Sequence, residues 1–318
     1  METSATPRWP EVTPRLTGIY YPLGYPLQLT TNHAPILTAA AESWGAFQKL
    51  FDGDPIRLQI EVNENAVREP GHSPAYEPQA EVFSIACDSA NSAVCDLLQG
   101  TAVARFNAAT VRQRAWFRYY FLDAMGYALV DARMFTPVHA GCVSMNGRGV
   151  LLCGDSGAGK SSLSYACART GWTYTSDDAS HLIRGALTVV GLSHEVRLRE
   201  PARDLFPELR DRKAAPRATG KMSIEIPMAE LPGIRTAPRA EIAQVVFLNR
   251  RPGPARLQPY SNEEAFRRMA SVLTFAKGDL REAHHAALRR LLALDVSELS
   301  YDDPGAAVEQ LLDLVRRG

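Results

Sequence analysis

The tightest constraint on how this chain can fold is the run Gly154-Asp155-Ser156-Gly157-Ala158-Gly159-Lys160-Ser161, which fits G-x-x-x-x-G-K-[ST] at every constrained position. The apolar Val150-Leu151-Leu152-Cys153 before it reads as a strand, and Ser161–Arg169 after it reads as a helix. Strand, glycine-rich turn and helix in that order make a phosphate cradle. The glycines let main-chain N–H groups reach phosphate oxygens with no Cβ in the way, and the helix N-terminus adds partial positive charge at the same point. Gly154 through Ser162 is the expected nucleotide site, with Lys160 reaching the β- and γ-phosphates and the Ser161 hydroxyl on Mg²⁺.

Asp177 and Asp178 follow the predicted strand Trp172–Ser176. In a parallel α/β sheet that strand end lies at the same edge as the phosphate loop. Two adjacent carboxylates there suit two tasks: one holds Mg²⁺, and the other takes the proton of an attacking hydroxyl or water. A turn or helix-cap aspartate is the structural alternative. His139 precedes the strand that leads into the loop. It reads either as a donor beside the γ-phosphate, as a group orienting an aspartate, or as a structural histidine. Glu195 reads as a second metal ligand or as a solvated glutamate. Lys221, Arg250 and Arg251 are cations at loop or strand ends, able to offset transition-state charge or simply to face solvent. His284 and His285 fall on a polar helix and are expected to be exposed.

The rest of the chain divides around this centre. Its 318 residues allow one large domain or two. An N-terminal mixed α/β domain is expected over residues 1–135 and a catalytic domain over 136–318. Residues 1–16 are rich in Pro and Thr and are expected to be poorly ordered. Strands are expected at Ile56–Asn63, near Glu81–Asp88 and at Ala102–Asn107, with a proline-rich loop at 66–80. A helix is expected over 108–130, because Phe117, Phe121, Met125 and Leu129 recur every fourth position. Pro137 marks a break. Asn146-Gly147 is a hairpin signal between two apolar strands. Downstream, a strand hairpin follows Asp178, then a short helix after Pro201, strands at Lys221–Pro227 and Ala243–Arg250, and helices at 262–276, 279–294 and 304–317. Residues 211–221 read as a mobile loop.

Composition bounds the partners. Lys plus Arg number 35 and Asp plus Glu number 35, so zero formal charge does not favour a general nucleic-acid surface. No apolar run reaches the roughly 18–20 residues of a membrane span, and no apolar segment of signal-peptide type opens the sequence. The five cysteines (Cys87, Cys95, Cys142, Cys153 and Cys167) form no CxxC pair, which fits free thiols in a reducing cytoplasm.

The stretch His139–Asp178, HAGCVSMNGRGVLLCGDSGAGKSSLSYACARTGWTYTSDD, resembles the catalytic segment of bacterial HPr kinase/phosphorylase: a His-Gly-type strand, a GDSGxGKS loop, a helix and a strand ending in Asp-Asp. The resemblance covers about forty residues closely and extends loosely to residue 250. It implies the P-loop core shared with phosphoenolpyruvate carboxykinase, ATP and Mg²⁺ as cofactors, and transfer to a serine hydroxyl. It carries over His139, Gly154–Ser161, Asp177 as base and Asp178 as its metal-side partner, in an order open to reversal. It also aligns Glu195-Val196-Arg197 with a metal-binding element, and it suggests an oligomer. Here that element continues as Leu198-Arg199-Glu200 instead of the family's glycine-rich run. The acceptor is therefore left open. The readings are a protein or peptide serine kinase, a kinase of a small metabolite, and a nucleotide-dependent switch that needs no base.

Overall fold

The computed structural model describes residues 16–64, 73–273 and 276–317. All but the last residue of the Pro- and Thr-rich start lies outside them.

The first sheet takes its form from period-two patterning. In Ile56–Asn63, Ile56, Leu58, Ile60 and Val62 are buried while Arg57 and Asn63 are exposed. Seven strands lie in the spatial order Leu16–Tyr20, Leu27–Thr31, Ile56–Asn63, Thr101–Asn107, Asn91–Asp96, Val82–Asp88, Ala75–Gln79. Leu27–Thr31, Ile56–Asn63 and Thr101–Asn107 run parallel, and the other pairings are antiparallel. The first parallel step needs a crossover, and the helix Ala34–Trp44 supplies it. The expected loop at 66–80 thus ends in a strand, Ala75–Gln79, and residues 65–72 of it lie outside the described set.

A helical run from Ala108 to Met134 packs on this sheet. Asn107 caps its start, its side chain accepting from the Thr110 N–H at 2.8 Å. The run is not one helix: it breaks at Gln113 and contains a π-helical turn at Arg118–Asp123. That wide turn has a consequence for the stripe. Side chains four apart drift around a regular α-helix, because its turn holds only 3.6 residues. A turn with more residues sets the drift back, and Phe117, Phe121, Met125 and Leu129 are all fully buried, as their spacing predicts.

The second sheet is mixed. From one edge its strands are Arg235–Thr236, Thr173–Ser176, Ala140–Met145, Arg148–Cys153, Arg239–Arg250, Thr188–Gly191, Ser180–Ile183 and Phe135–Val138. Val296–Tyr301 adds in parallel to the second half of Arg239–Arg250, with Arg256–Pro259 outside it. Pro137 does not break the chain. It sits in the edge strand, where a missing N–H is tolerated. Asn146 and Gly147 form the predicted hairpin turn with φ of 53° and 80°.

Helices cover both faces of this sheet, so its central strands are apolar throughout. Val150, Leu152, Val246 and Leu248 face the helices Lys160–Arg169 and Pro304–Arg317. Leu151, Cys153, Val245 and Phe247 face Asn262–Ala270 and Gly278–Leu291. His284 lies on this inner side and not in solvent: it is 3% exposed and meets Thr136 Oγ1 at 3.0 Å through Nδ1. His285 packs edge-on against Phe266. A small third sheet joins Glu195–Leu198, Met222–Pro227 and Ala215–Pro216, the last within the predicted 211–221 loop.

The two sheets are tied by Arg184. Its guanidinium donates to the carbonyls of Asp131, Ala132 and Phe135 at 2.5–2.6 Å, where the helix Ala124–Met134 ends and its carbonyls lack partners. His181 Nδ1 meets Asp131 Oδ1 at 2.7 Å beside it. Among the described residues no helix is long and apolar enough to cross a membrane. Cys95, Cys142, Cys153 and Cys167 are buried free thiols, and burial pushes Cys142 and Cys153 up to about 12. They stay protonated and serve as small core residues.

Candidate active site

The strand Arg148–Cys153 delivers the chain to the loop at Gly154, and the helix Lys160–Arg169 leaves it. Gly154, Gly157 and Gly159 have φ of 154°, 97° and 97°. Gly159 is the most constrained: a Cβ there would run into the Tyr301 hydroxyl, which itself donates to the Ala158 carbonyl at 3.0 Å. No side chain caps the helix start, so its first N–H groups remain available. Lys160 is 4% exposed, and its Nζ donates to the carbonyls of Gly154 at 2.9 Å and Asp155 at 3.3 Å. The ammonium is thus held over the cradle by the loop's own backbone.

The strand Thr173–Ser176 ends at the same edge as Arg148–Cys153, but the two are not neighbours. The antiparallel strand Ala140–Met145 lies between them. The expectation of a parallel sheet is corrected accordingly. The shared edge survives because both strands run antiparallel to the same third strand. His139 immediately precedes that strand, which brings its ring to the loop as well.

Asp177 and Asp178 then turn to opposite environments. Asp177 is 7% exposed. It accepts from Tyr174 Oη at 3.2 Å (Oδ1) and from the Arg197 N–H at 3.3 Å (Oδ2), with the Ser161 hydroxyl also bonded to it. Burial, and then the negative charge of Asp178, push its carboxyl up to about 6. Asp178 has a half-exposed side chain whose Oδ1 meets His139 Nε2 at 2.7 Å and Lys160 Nζ at 3.3 Å. Burial works against its charged form too, but the His139 hydrogen bond and the Lys160 charge prevail and hold it down at about 2. Two adjacent acids with separated affinities for protons are an arrangement suited to acid–base chemistry.

These groups line one cavity of about 690 Å³, together with Gly157, Gly159, Ser162, Glu195, Lys221 and Arg250. Glu195 is held in an ion pair by Arg197. Arg251 turns away to Ser300, its Nη2 donating to Oγ at 2.9 Å. Two arginines that the motif does not contain touch the loop. Arg199 Nη2 donates to Ser156 Oγ at 2.7 Å, and Arg268 Nη2 meets Asp155 Oδ1 at 3.0 Å. Sequence gives no sign of Arg268. Arg199 is signalled only by its place two residues after Arg197 on the same strand-to-loop segment.

No family model matches this chain, and no curated protein matches it. Among solved structures it is similar to the HPr(Ser) kinase/phosphatase from Coxiella burnetii, at 16% sequence identity over 57% of this chain and 88% of that one, with a TM-score of 0.28. At that distance the likeness says nothing of what this chain does.

Proposed function

We propose that this protein is an ATP- and Mg²⁺-dependent kinase that transfers a phosphoryl group to a hydroxyl, in the first instance the serine of a protein or peptide. The observation that carries this reading is the meeting of Lys160 with Asp178 at 3.3 Å, in a cavity that also holds the buried Asp177. A binding cradle alone needs no proton acceptor beside it.

The residues fit a nucleotide tail. The positive-φ glycines leave the cradle open, and the uncapped helix N–H groups and Lys160 offer donors to phosphate oxygens. They also fit magnesium, which takes one or two carboxylates and fills its octahedron from water and phosphate. Ser161 and Asp178 would hold the ion, with Glu195 as the further candidate once released by Arg197. Bound there, the two supply the transferable phosphoryl group and the charge that offsets it.

The chain's own part follows from the site. Lys160 and the loop amides take up negative charge as it grows on the phosphoryl oxygens. His139 and Lys160 keep Asp178 ionised and fixed. Asp177 lines the same cavity and is the base in this reading. The acceptor oxygen forms its bond to the γ-phosphorus as the bond to the bridging oxygen of ADP breaks, and the hydroxyl proton passes to the Asp177 carboxylate. Incubating the full-length protein with γ-labelled ATP, Mg²⁺ and a host lysate tests this. Label on a protein or peptide serine supports the proposal, label on a free metabolite moves the acceptor class, and tight nucleotide binding with no transfer defeats it.

A further inference from the structure

A second cavity, of about 680 Å³, opens between the helical run on the first sheet, the small third sheet and the C-terminal helices. Its walls are apolar and aromatic, with Phe83, Leu97, Tyr127, Ala128, Leu273 and Leu280 among them. It shares Tyr119, Leu192, Arg197 and Arg217 with the phosphate-loop cavity, so the two spaces adjoin along these residues. Arg197, on that boundary, donates its N–H to Asp177.

Three further observations define what fits there. The charged groups lining this cavity are engaged within the protein: Arg118 with Glu42 at 3.3 Å, Arg217 with Glu225 at 3.5 Å, Arg197 with Glu195 and Glu225, and Asp131 with His181 at 2.7 Å. Asp123 is the exception, with its Oδ1 buried and without a hydrogen-bond partner, while His284 turns to Thr136. The cavity therefore offers apolar surface with its arginines already paired, and an acidic ligand would lose its hydration without a partner. Exposed apolar side chains also concentrate here. Of the five large ones among the described residues, Tyr119, Met222 and Val272 border the two cavities, and only Ile19 and Leu98 lie elsewhere. Such clustering marks an interaction surface. Finally, these exposed side chains run from Val272 on this cavity through Tyr119 to Met222 on the phosphate-loop cavity, a span that a chain covers and a small metabolite held in one hollow does not.

We propose that this cavity seats the acceptor, and that the acceptor is a polypeptide segment in which neutral, apolar side chains flank the reacting serine. Those side chains lie against Tyr127, Ala128 and Leu273, and the hydroxyl reaches Asp177 across the boundary that Tyr119, Leu192, Arg197 and Arg217 form between the cavities. The proposal rests on the kinase reading above and adds the acceptor's chemistry and seat.

Binding separates the two ideas. A fluorescein-labelled short peptide with Leu and Phe on both sides of an unreactive Ala is titrated with the full-length protein and followed by anisotropy, beside the same peptide with Asp at the flanks. The apolar peptide binds roughly tenfold or more tightly than the acidic one, and Ala128→Trp, which fills the cavity, weakens it by roughly tenfold. Val272→Asp, a rim change at a position 45% exposed that spares the core, weakens it as well. Equal binding of the two peptides, or binding that neither variant weakens, overturns the proposal. With serine restored, an apolar peptide that binds but takes no label from ATP defeats the kinase reading and leaves the seat standing. Preferential labelling of the acidic peptide or of a free metabolite defeats the seat and leaves the kinase.

Discussion

His139 Nε2 and Lys160 Nζ converge on the same oxygen of Asp178, at 2.7 Å and 3.3 Å. A donor and a cation on one carboxylate oxygen fix its direction. His139 is thereby a positioning residue: it acts through Asp178. The expected outcome for His139→Ala is a rise of the Asp178 affinity for protons from about 2 toward the free value of 3.8, read by carboxyl-carbon NMR titration. An unmoved Asp178 titration would show that Lys160 alone sets it.

Asp177 sits the other way. Its value of about 6 stands above the unfolded 3.8, so this site favours the folded state fully below about 3.8 and loses that advantage as pH rises through about 6. Asp177→Asn therefore raises the melting temperature at pH 8 relative to wild type and gives no such gain at pH 3.5. The same variant keeps ATP binding and loses transfer by about 10²–10⁴-fold, the usual worth of a positioned base. In the wild type the transfer rate climbs with pH through about 6 as Asp177 ionises. A fully active Asp177→Asn assigns the base elsewhere.

Arg199 grips Ser156 at the outer lip of the loop, and a charged hydrogen bond of this kind is worth about 1.5–3 kcal/mol when its partner groups are held in place. At this exposed lip solvent reduces that worth. Arg199→Ala is expected to raise the KM for ATP by roughly tenfold with a smaller change in kcat. Steady-state kinetics against ATP concentration checks it, and an unchanged KM would reduce the contact to a surface one.

Gly159 and Tyr301 form a steric lock, since a Cβ at Gly159 meets the Tyr301 hydroxyl in a left-handed backbone. Gly159→Ala is expected to cost about 1–3 kcal/mol. Tyr301→Phe removes the colliding atom along with its bond to Ala158, so the double variant loses less than the sum of the two. Thermal denaturation of the four proteins measures the difference, and simple additivity would show that backbone strain alone accounts for the loss.

What could be read from the sequence was local. The Asn146-Gly147 turn, the strand-loop-helix at Arg148–Arg169 and the apolar stripe from Phe117 to Leu129 each follow from neighbours within a few residues. The antiparallel strand lodged between Arg148–Cys153 and Thr173–Ser176 did not, because strand order is decided by partners distant in the chain. His284 misled for a related reason. Its helix is polar on average, and the one hydroxyl that makes burial tolerable, Thr136, lies 148 positions away. Arg268 and Tyr301 belong to the site for the same kind of reason: each reaches it across the fold, and neither belongs to a motif. The early strands Leu16–Tyr20 and Leu27–Thr31 are short, and Pro22 and Pro26 lie between them.

Apart from Glu195, the residues proposed for chemistry fall between His139 and Asp178, a single span closed by its own hairpin and helix. The walls of the apolar cavity come from stretches around Phe83, Ala128, Ala215 and Leu280, far apart along the chain. Mutation can therefore reshape which segment is admitted while the phosphoryl-handling cassette passes unchanged from one descendant protein to the next. On that account diversification of such proteins is expected to be recorded in the scattered walls and to leave the compact span nearly silent.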